Sequence, residues 1–513
     1  MADLTREEVE EILEEYAELL KAQAEEEEED EFVDELEDED AMEEESDEEE
    51  EAEGEDGDDQ ETDGEEDSEQ EEEAEEEEIQ PGPLEHKDLS GLDLSGLDFY
   101  GISLMGSKLV DCNLRASDLS HCVLDASDLS GAQLKEINLE AASIRAAELA
   151  SANFEDSNLQ DADFSGSNLK KAEFQNANLR RSKFVQSDLT EADFEEANLS
   201  RTDFSKAQLK STQIQNADLT RSKFNGADLS GANLTDSKIS MAGFFESNLN
   251  KTQLVRCQLK GAKLCGADLT SANLLRADLT SADLSEAVVH DVEFSRAKLD
   301  GAIMRRTDLK GSNLSEATLS VSDLTDANLV DVNLRGADLG RIKLVSAKLA
   351  GARLSGANLN KAKMEKVDLT SADLSDAGLA GADFTEAELE GADLSRANLS
   401  EAVLVKANLN NSFLLGADLK KARLESAQME NAQLSGSKLT RANLENANLK
   451  NSDLQRSNLE YANLTETQLE NSNLTGSKMS EADCTNANLT SANLDKADVS
   501  DVNFTGAKGY SKQ

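Results

Sequence analysis

The dominant feature of this sequence is a period of five residues that runs through most of the chain. From about Asp88 a large apolar residue recurs at every position ending in 4 or 9, from Leu89 to Phe504, which gives 84 repeats without a frame slip. Almost all of these central residues are Leu, Phe, Ile, Met or Val. A small residue, mostly Ala or Ser, stands two positions before each centre, and the other three positions are polar. The sequence therefore predicts one repetitive architecture from about Asp88 onward.

The length of the period limits the backbone conformation. Five residues match neither an α-helix, with about 3.6 residues per turn, nor a flat strand, with a period of about two. They match a coil that turns a corner every five residues and points two side chains inward and three outward. Two inward positions of five agree with the 38% hydrophobic content of the chain.

Phenylalanines indicate the number of sides of the coil. Every second centre from Phe154 to Phe204 is Phe, with Leu at the centres between. If one coil takes twenty residues, the rings form two opposite columns, whereas a three-sided coil would scatter them. Stacking of like aromatic side chains is typical of neighbouring strands. We therefore predict four sides and about 21 coils, in a rod about 100 Å long at the usual strand spacing of about 4.8 Å.

The repeats resemble those of the pentapeptide-repeat proteins, whose motif is A(D/N)LxX. Segments 267–271 (ADLTS) and 397–401 (ANLSE) are typical copies, and the resemblance covers residues 88–508. It implies an all-β fold, a right-handed quadrilateral β-helix, but no single function. Some members of this family resemble B-form DNA and bind DNA gyrase, whereas others are scaffolds or secreted effectors.

The residues before the repeats divide into two regions. A helix is expected at about residues 5–24, within an N-terminal region 1–24, because Thr5 and Glu8 form a capping box and apolar residues follow at helical spacing. Residues 25–87 are mostly Glu and Asp and are expected to form a disordered linker. Residues 509–513 form a short C-terminal tail. The helix is either marginal and frayed or a docking or self-association helix, whose candidate partner-binding residues are Val9, Ile12, Leu13, Tyr16, Leu19 and Leu20.

The net charge of −60 is unevenly distributed. Residues 1–80 carry 47 acidic and two basic residues, and residues 81–513 carry 62 acidic and 47 basic residues. This sign of charge argues against direct binding to nucleic acid or an anionic membrane. The acidic tail could bind a basic protein. A rod about 100 Å long would need roughly 60 negative charges to match B-DNA, and the repeats, at a net charge of −15, have about a quarter of that.

The sequence contains no pattern typical of a catalytic or metal site. The three histidines, at positions 86, 121 and 290, are too far apart in the coil to meet. Cys112, Cys122, Cys257 and Cys484 occupy inward positions, and only Cys265 points outward and is expected to react. We therefore expect no enzyme activity, no cofactor and no metal.

The surface and the ends of the rod offer the remaining candidates for binding. Phe245, Phe413 and Leu415 are apolar residues at outward positions and are candidate partner-binding residues. At the start of the rod the small inward position holds Leu92, Leu97 and Ile102, which we expect to plug its mouth. The last coil is expected to present an open strand edge and to support a homodimer, unless the final residues with Tyr510 fold over it.

These observations favour a non-enzymatic, rod-shaped protein-interaction scaffold with a tethered N-terminal helix and protein partners of unknown identity. The alternatives are a DNA-mimicking gyrase-binding protein and a secreted effector exported without a cleaved signal peptide. No run of eighteen apolar residues and no signal peptide occur in the sequence, so we expect a cytoplasmic protein.

Overall fold

The computed structural model describes residues 2–38 and 82–510 of the chain. These ranges contain one α-helix, α1 (Arg6–Asp38), and a long series of isolated parallel β-bridges. Each bridge joins a residue to the one twenty positions later, from Asp88 with Lys108 to Asn488 with Lys508. Twenty residues per coil and five per side confirm the four-sided coil.

The core is a stack of the central residues. From Leu89 to Leu489 the centres are buried, and so are nearly all the small inward residues between them. Phe174 lies 4.8 Å from Phe154 and 4.6 Å from Phe194, with the rings parallel. Across the axis, Phe174 and Phe184 meet edge to face at 6.0 Å. The predicted aromatic columns are therefore confirmed, and they combine the two ring arrangements that aromatic pairs prefer.

Polar residues at the small inward position are accommodated by the backbone. The hydroxyl of Ser117 donates to the carbonyl of Leu94 at 2.9 Å, and the thiol of Cys112 donates to the carbonyl of Leu89 at 2.9 Å. Because a buried donor needs an acceptor, these contacts explain why Ser, Thr and Cys can replace Ala in the core.

Every corner is a four-residue turn. The amide of Ile102, for example, donates to the carbonyl of the centre Phe99 at 3.0 Å. The third residue of each turn has a positive φ, as type II turns require. Many of these corner residues are charged and pair with a corner one coil away, as Arg181 does with Asp161 at 2.5 Å.

The Asp or Asn before each centre forms hydrogen bonds both within the following turn and to the neighbouring coil. Oδ1 of Asp118 accepts the amide of Ser120 at 2.9 Å and Nδ2 of Asn138, one coil later, at 3.0 Å. These side chains therefore have a structural role in the rod.

Helix α1 begins as the sequence predicts but ends later. The capping box is confirmed, because Oε2 of Glu8 accepts the Thr5 amide at 2.7 Å and Oγ1 of Thr5 accepts the Glu8 amide at 3.3 Å. The helix continues to Asp38, so residues 25–38 do not belong to a disordered linker. The prediction relied on apolar spacing, whereas this stretch is rich in Glu, a good helix former, and has no Gly or Pro. Residues 39–81 of the predicted linker lie outside the described residues.

The rod also starts one repeat before Leu89. Leu84 is fully buried, and the His86 amide already donates to the carbonyl of Met105 at 2.9 Å. Position 84 is in frame with the later centres, but the acidic composition before it hid this repeat. Residues 82–87, predicted as linker, thus belong to the rod.

The C-terminal end of the rod is less covered. The last centres, Leu494, Val499 and Phe504, are only partly buried. The Tyr510 ring stacks on Phe504, with 3.7 Å between ring centroids. The sequence predicted either an open strand edge or an end covered by the final residues. At Phe504, Tyr510 covers the end.

Candidate functional site

The start of α1 packs on the mouth of the rod. Val9 is completely buried and Leu13 is 8% exposed, and both belong to the same core cluster as the first coil. Ile12 and Tyr16 are partly buried against it, together with Leu4. These residues were candidates for binding a partner, but here they cover the apolar end of their own chain. Of the candidate helix residues, Leu19 is exposed and Leu20 is half-buried.

This packing corrects the interpretation of α1 as a helix tethered away from the rod. Leu92 and Leu97 pack on the core but remain partly exposed at the mouth, whereas Ile102 is buried. They therefore plug the mouth incompletely, and covering the remaining apolar surface stabilises the docked helix. We call residues 2–23 the N-terminal cap.

Polar contacts hold the N-terminal cap on the backbone of the first coil. The Asp3 amide donates to the carbonyl of Asp88 at 2.5 Å, and the Asp88 amide donates to Oδ2 of Asp3 at 2.8 Å. The Arg6 guanidinium donates to the carbonyls of Asp93, at 2.8 Å, and Ser95, at 3.2 Å. Sequence reasoning missed Asp3 and Arg6, because no repeat or motif marks the distant carbonyls that they contact.

A groove of about 580 Å³ runs between the N-terminal cap and the rod. Leu13, Tyr16 and Leu20 form one wall, and Leu97 and Ile102 form the other. The groove is therefore lined by apolar side chains of both the N-terminal cap and the rod.

The candidate residues on the rod surface lie on two opposite sides. Phe413 and Leu415 are 45% and 43% exposed and flank the buried centre Leu414. Phe245 is 52% exposed on the opposite side of the square, about eight coils or about 40 Å away. Met241, which the sequence did not single out, is exposed on the same coil as Phe245. Both positions are therefore open to a partner, and they face different directions.

The histidines of the described residues lie in separate surroundings. Nε2 of His290 lies 2.7 Å from Oδ2 of Asp308, whereas His121 packs on the Tyr100 ring at 5.3 Å. Within residues 2–38 and 82–510 no group of three or more His, Cys, Asp or Glu side chains could hold a metal ion. No helix in the same ranges is long and apolar enough to cross a membrane.

The cysteines differ from the expectation at one position. The four inward thiols are buried, and burial raises the pKa of Cys122, Cys257 and Cys484 to about 12. Cys265 faces outward but is only partly exposed. Burial and the adjacent carboxylate of Asp283 raise its pKa to about 11. The expected reactivity of Cys265 is therefore opposed by its surroundings, because the thiolate is the reactive form.

Comparisons with known proteins agree with this geometry. A family model described as "Pentapeptide repeat region" matches residues 157–234. A second, described as "Pentapeptide repeats (8 copies)", matches eleven segments between residues 107 and 506. No curated protein sequence matches the chain.

Several solved structures are similar. HetL, a pentapeptide repeat protein involved in heterocyst differentiation regulation from the cyanobacterium Nostoc sp. strain PCC 7120, is 30% identical, with 51% of this chain and 92% of HetL covered and a TM-score of 0.19. Full-length QnrB1, a plasmid-mediated fluoroquinolone resistance protein, is 18% identical, with 43% and 92% covered and a TM-score of 0.19. A pentapeptide repeat protein from the Arabidopsis thaliana thylakoid lumen is 27% identical, with 20% and 69% covered and a TM-score of 0.12.

The family matches cover more than half of the chain, and the bridges repeat every twenty residues. The chain therefore belongs to the pentapeptide-repeat proteins, which fold as right-handed quadrilateral β-helices.

Proposed function

We propose that this protein is a non-enzymatic interaction scaffold, a stiff rod that presents apolar contact residues on opposite sides. The observation that carries the proposal is the exposed pair Phe413 and Leu415. Two large apolar side chains next to each other on a polar surface are typical of the centre of a protein interface.

The surroundings of this pair favour close approach of a partner. The twenty-residue register places Ser395 and Ser435 on either side of Leu415. Gly416 and Gly436 occupy the neighbouring corners with φ of 66° and 69°, where a side chain would be strained. These small residues leave the Leu415 side chain standing above the face, whereas Phe413 lies between Asp393 and Gln433.

The stiffness of the rod supports the scaffold role. Each coil contacts its neighbours through backbone hydrogen bonds that repeat without interruption. Phe413 and Phe245 are therefore held at a constant separation of about 40 Å, which would keep two partners apart at a defined distance.

The alternative of DNA mimicry gains no specific support from the surface. Many carboxylates pair with a basic side chain one coil away, such as Glu401 with Lys421 at 2.9 Å and Asp376 with Arg396 at 2.6 Å. This pairing neutralises charge that a DNA mimic would need to display.

Binding measurements with surface variants test the scaffold proposal. The full-length protein would first be used to capture and identify a partner, and the dissociation constant would then be measured with purified proteins. Exchange of Phe413 and Leu415 for Ser should weaken binding at least tenfold without changing the thermal midpoint. Ile303→Ser, which removes a similarly exposed apolar side chain elsewhere, is the matched control. If the double variant and the control bind the partner equally, the proposed contact is wrong.

A further inference from the structure

The joints between coils follow one hydrogen-bonding rule. A central amide donates to the carbonyl just before the next coil's centre, as Leu94 does to Asn113 at 2.7 Å. A corner amide donates to the carbonyl just after that centre, as Gly96 does to Arg115 at 3.0 Å. In return, the amide of Asn113 donates to the carbonyl of the inward residue Leu92 at 3.0 Å. On each side of the square, a coil thus donates two amide hydrogen bonds to the next coil and accepts one from it.

The N-terminal cap reproduces these bonds with side chains and one amide. Towards Asp88, the Asp3 amide takes the place of a central amide, and Oδ2 of Asp3 takes the place of an inward carbonyl. Towards Asp93 and Ser95, the two terminal nitrogens of Arg6 replace a central and a corner amide. Asp3 and Arg6 therefore occupy the positions of a coil that would precede the first one.

The C-terminal edge carries the complementary groups. Among the described residues, the central amides of Val499 and Phe504 and the corner amide of Asp501 have no hydrogen-bond partner. The side chains of Leu494 and Val499 are partly exposed there, and the Tyr510 ring stacks on Phe504. This edge offers two donors per side, which the N-terminal edge of a rod accepts.

We propose that the C-terminal edge of one chain docks on the N-terminal edge of a second copy when the N-terminal cap is displaced, so that rods join head to tail. Val499 and Asp501 would then donate to the carbonyls that Arg6 now holds, and the stack of apolar centres would continue across the junction. The capped protein is monomeric, because Asp3 and Arg6 occupy the acceptors of the first coil.

The chemistry of the edges favours this pairing over a symmetric one. Two C-terminal edges facing each other would bring together mainly donors, whereas a C-terminal and an N-terminal edge bring donors to acceptors. A head-to-tail contact does not close on itself, so uncapped copies would form linear chains.

Sedimentation velocity on variants of the full chain tests this proposal. An open-cap variant combining Arg6→Ala with Val9→Asp should assemble into species of increasing mass as its concentration rises, while the unaltered protein stays monomeric. Adding Val499→Pro, which removes one donor at the far edge, should return the open-cap variant to monomer. Glu11→Ala, on an exposed part of the same helix, is the matched control and should remain monomeric.

Mixing experiments separate specific docking from aggregation. The open-cap protein carrying Val499→Pro should bind the unaltered protein in a one-to-one complex and form nothing larger, since each partner has one usable end. A peptide of residues 2–23 should bind the open N-terminal edge and dissociate the chains of the open-cap variant. Circular dichroism of the open-cap variant checks that its rod is folded. A monomeric open-cap variant, assembly that Val499→Pro leaves unchanged, or dimers of the unaltered protein would each overturn the proposal.

Discussion

The aromatic columns allow the contribution of ring stacking to be measured against a control in the same protein. We predict that Phe184→Leu destabilises its coil more than Phe384→Leu does. Both rings are fully buried centres, and Leu is the usual residue at a centre, so the two substitutions remove similar apolar area. The main difference between the two sites is their aromatic neighbours.

The structure supplies the expected size of this difference. Phe184 stacks on Phe164 at 4.9 Å and on Phe204 at 5.1 Å, and it meets Phe174 and Phe194 edge to face at 6.0 and 6.1 Å. Among the described residues Phe384 has no aromatic neighbour. An aromatic pair contributes about 0.5–1.5 kcal/mol beyond burial, and contributions of touching residues do not add fully. We therefore expect Phe184→Leu to cost about 2 kcal/mol more than Phe384→Leu.

Hydrogen exchange followed by mass spectrometry is the suitable assay, because a solenoid opens region by region and a global melt would average the effect. An excess of about 2 kcal/mol corresponds to roughly 30-fold faster exchange, since about 1.4 kcal/mol is tenfold. The faster exchange should be confined to the coils around the substituted ring. Equal acceleration in the two variants would refute the idea that the columns stabilise the rod by stacking.

Three further predictions concern single positions on the rod. Alkylation of Cys265 at pH 8 should be slow and should accelerate in Asp283→Asn, because the carboxylate raises the pKa of the thiol. Arg181 lowers the pKa of Asp161 below its ordinary value of 3.8, so Asp161→Asn should lower the thermal midpoint at pH 7. That difference should shrink as the pH falls below 3.8 and through the lowered pKa of Asp161, because protonation of the carboxylate removes the ion pair. Val321 is a β-branched residue at φ 65°, a backbone conformation that Asn adopts more readily. Val321→Asn should therefore stabilise its coil by about 1 kcal/mol and slow hydrogen exchange there.

Much of the rod could be predicted from the sequence because each repeat carries the same local information. The spacing of the centres fixes which side chains point inward, and the positions of Phe154 and Phe174 distinguish twenty residues per coil from the fifteen of a three-sided coil. The same reasoning missed the repeat at Leu84, because one centre in an acidic context does not show a period.

The surface was harder to predict than the core. Outward positions identify Phe245, Phe413 and Leu415 as exposed, and they are exposed. The reactivity of Cys265 depends on Asp283, which is eighteen residues away in sequence but adjacent across a joint. Such neighbours follow from the twenty-residue coil only after the number of sides is known.

The sequence by itself determined that this chain forms a four-sided coil, because the five-residue period requires a coil with two inward side chains per side and the spacing of the phenylalanines distinguishes four sides from three. The tertiary structure alone decided what happens at the ends. Val9 and Leu13 could have served a partner, a second copy or the rod, and periodicity does not distinguish these surfaces. Their placement depends on free backbone groups of the first coil, which exist only after the rod has formed and which Asp3 and Arg6 then bind.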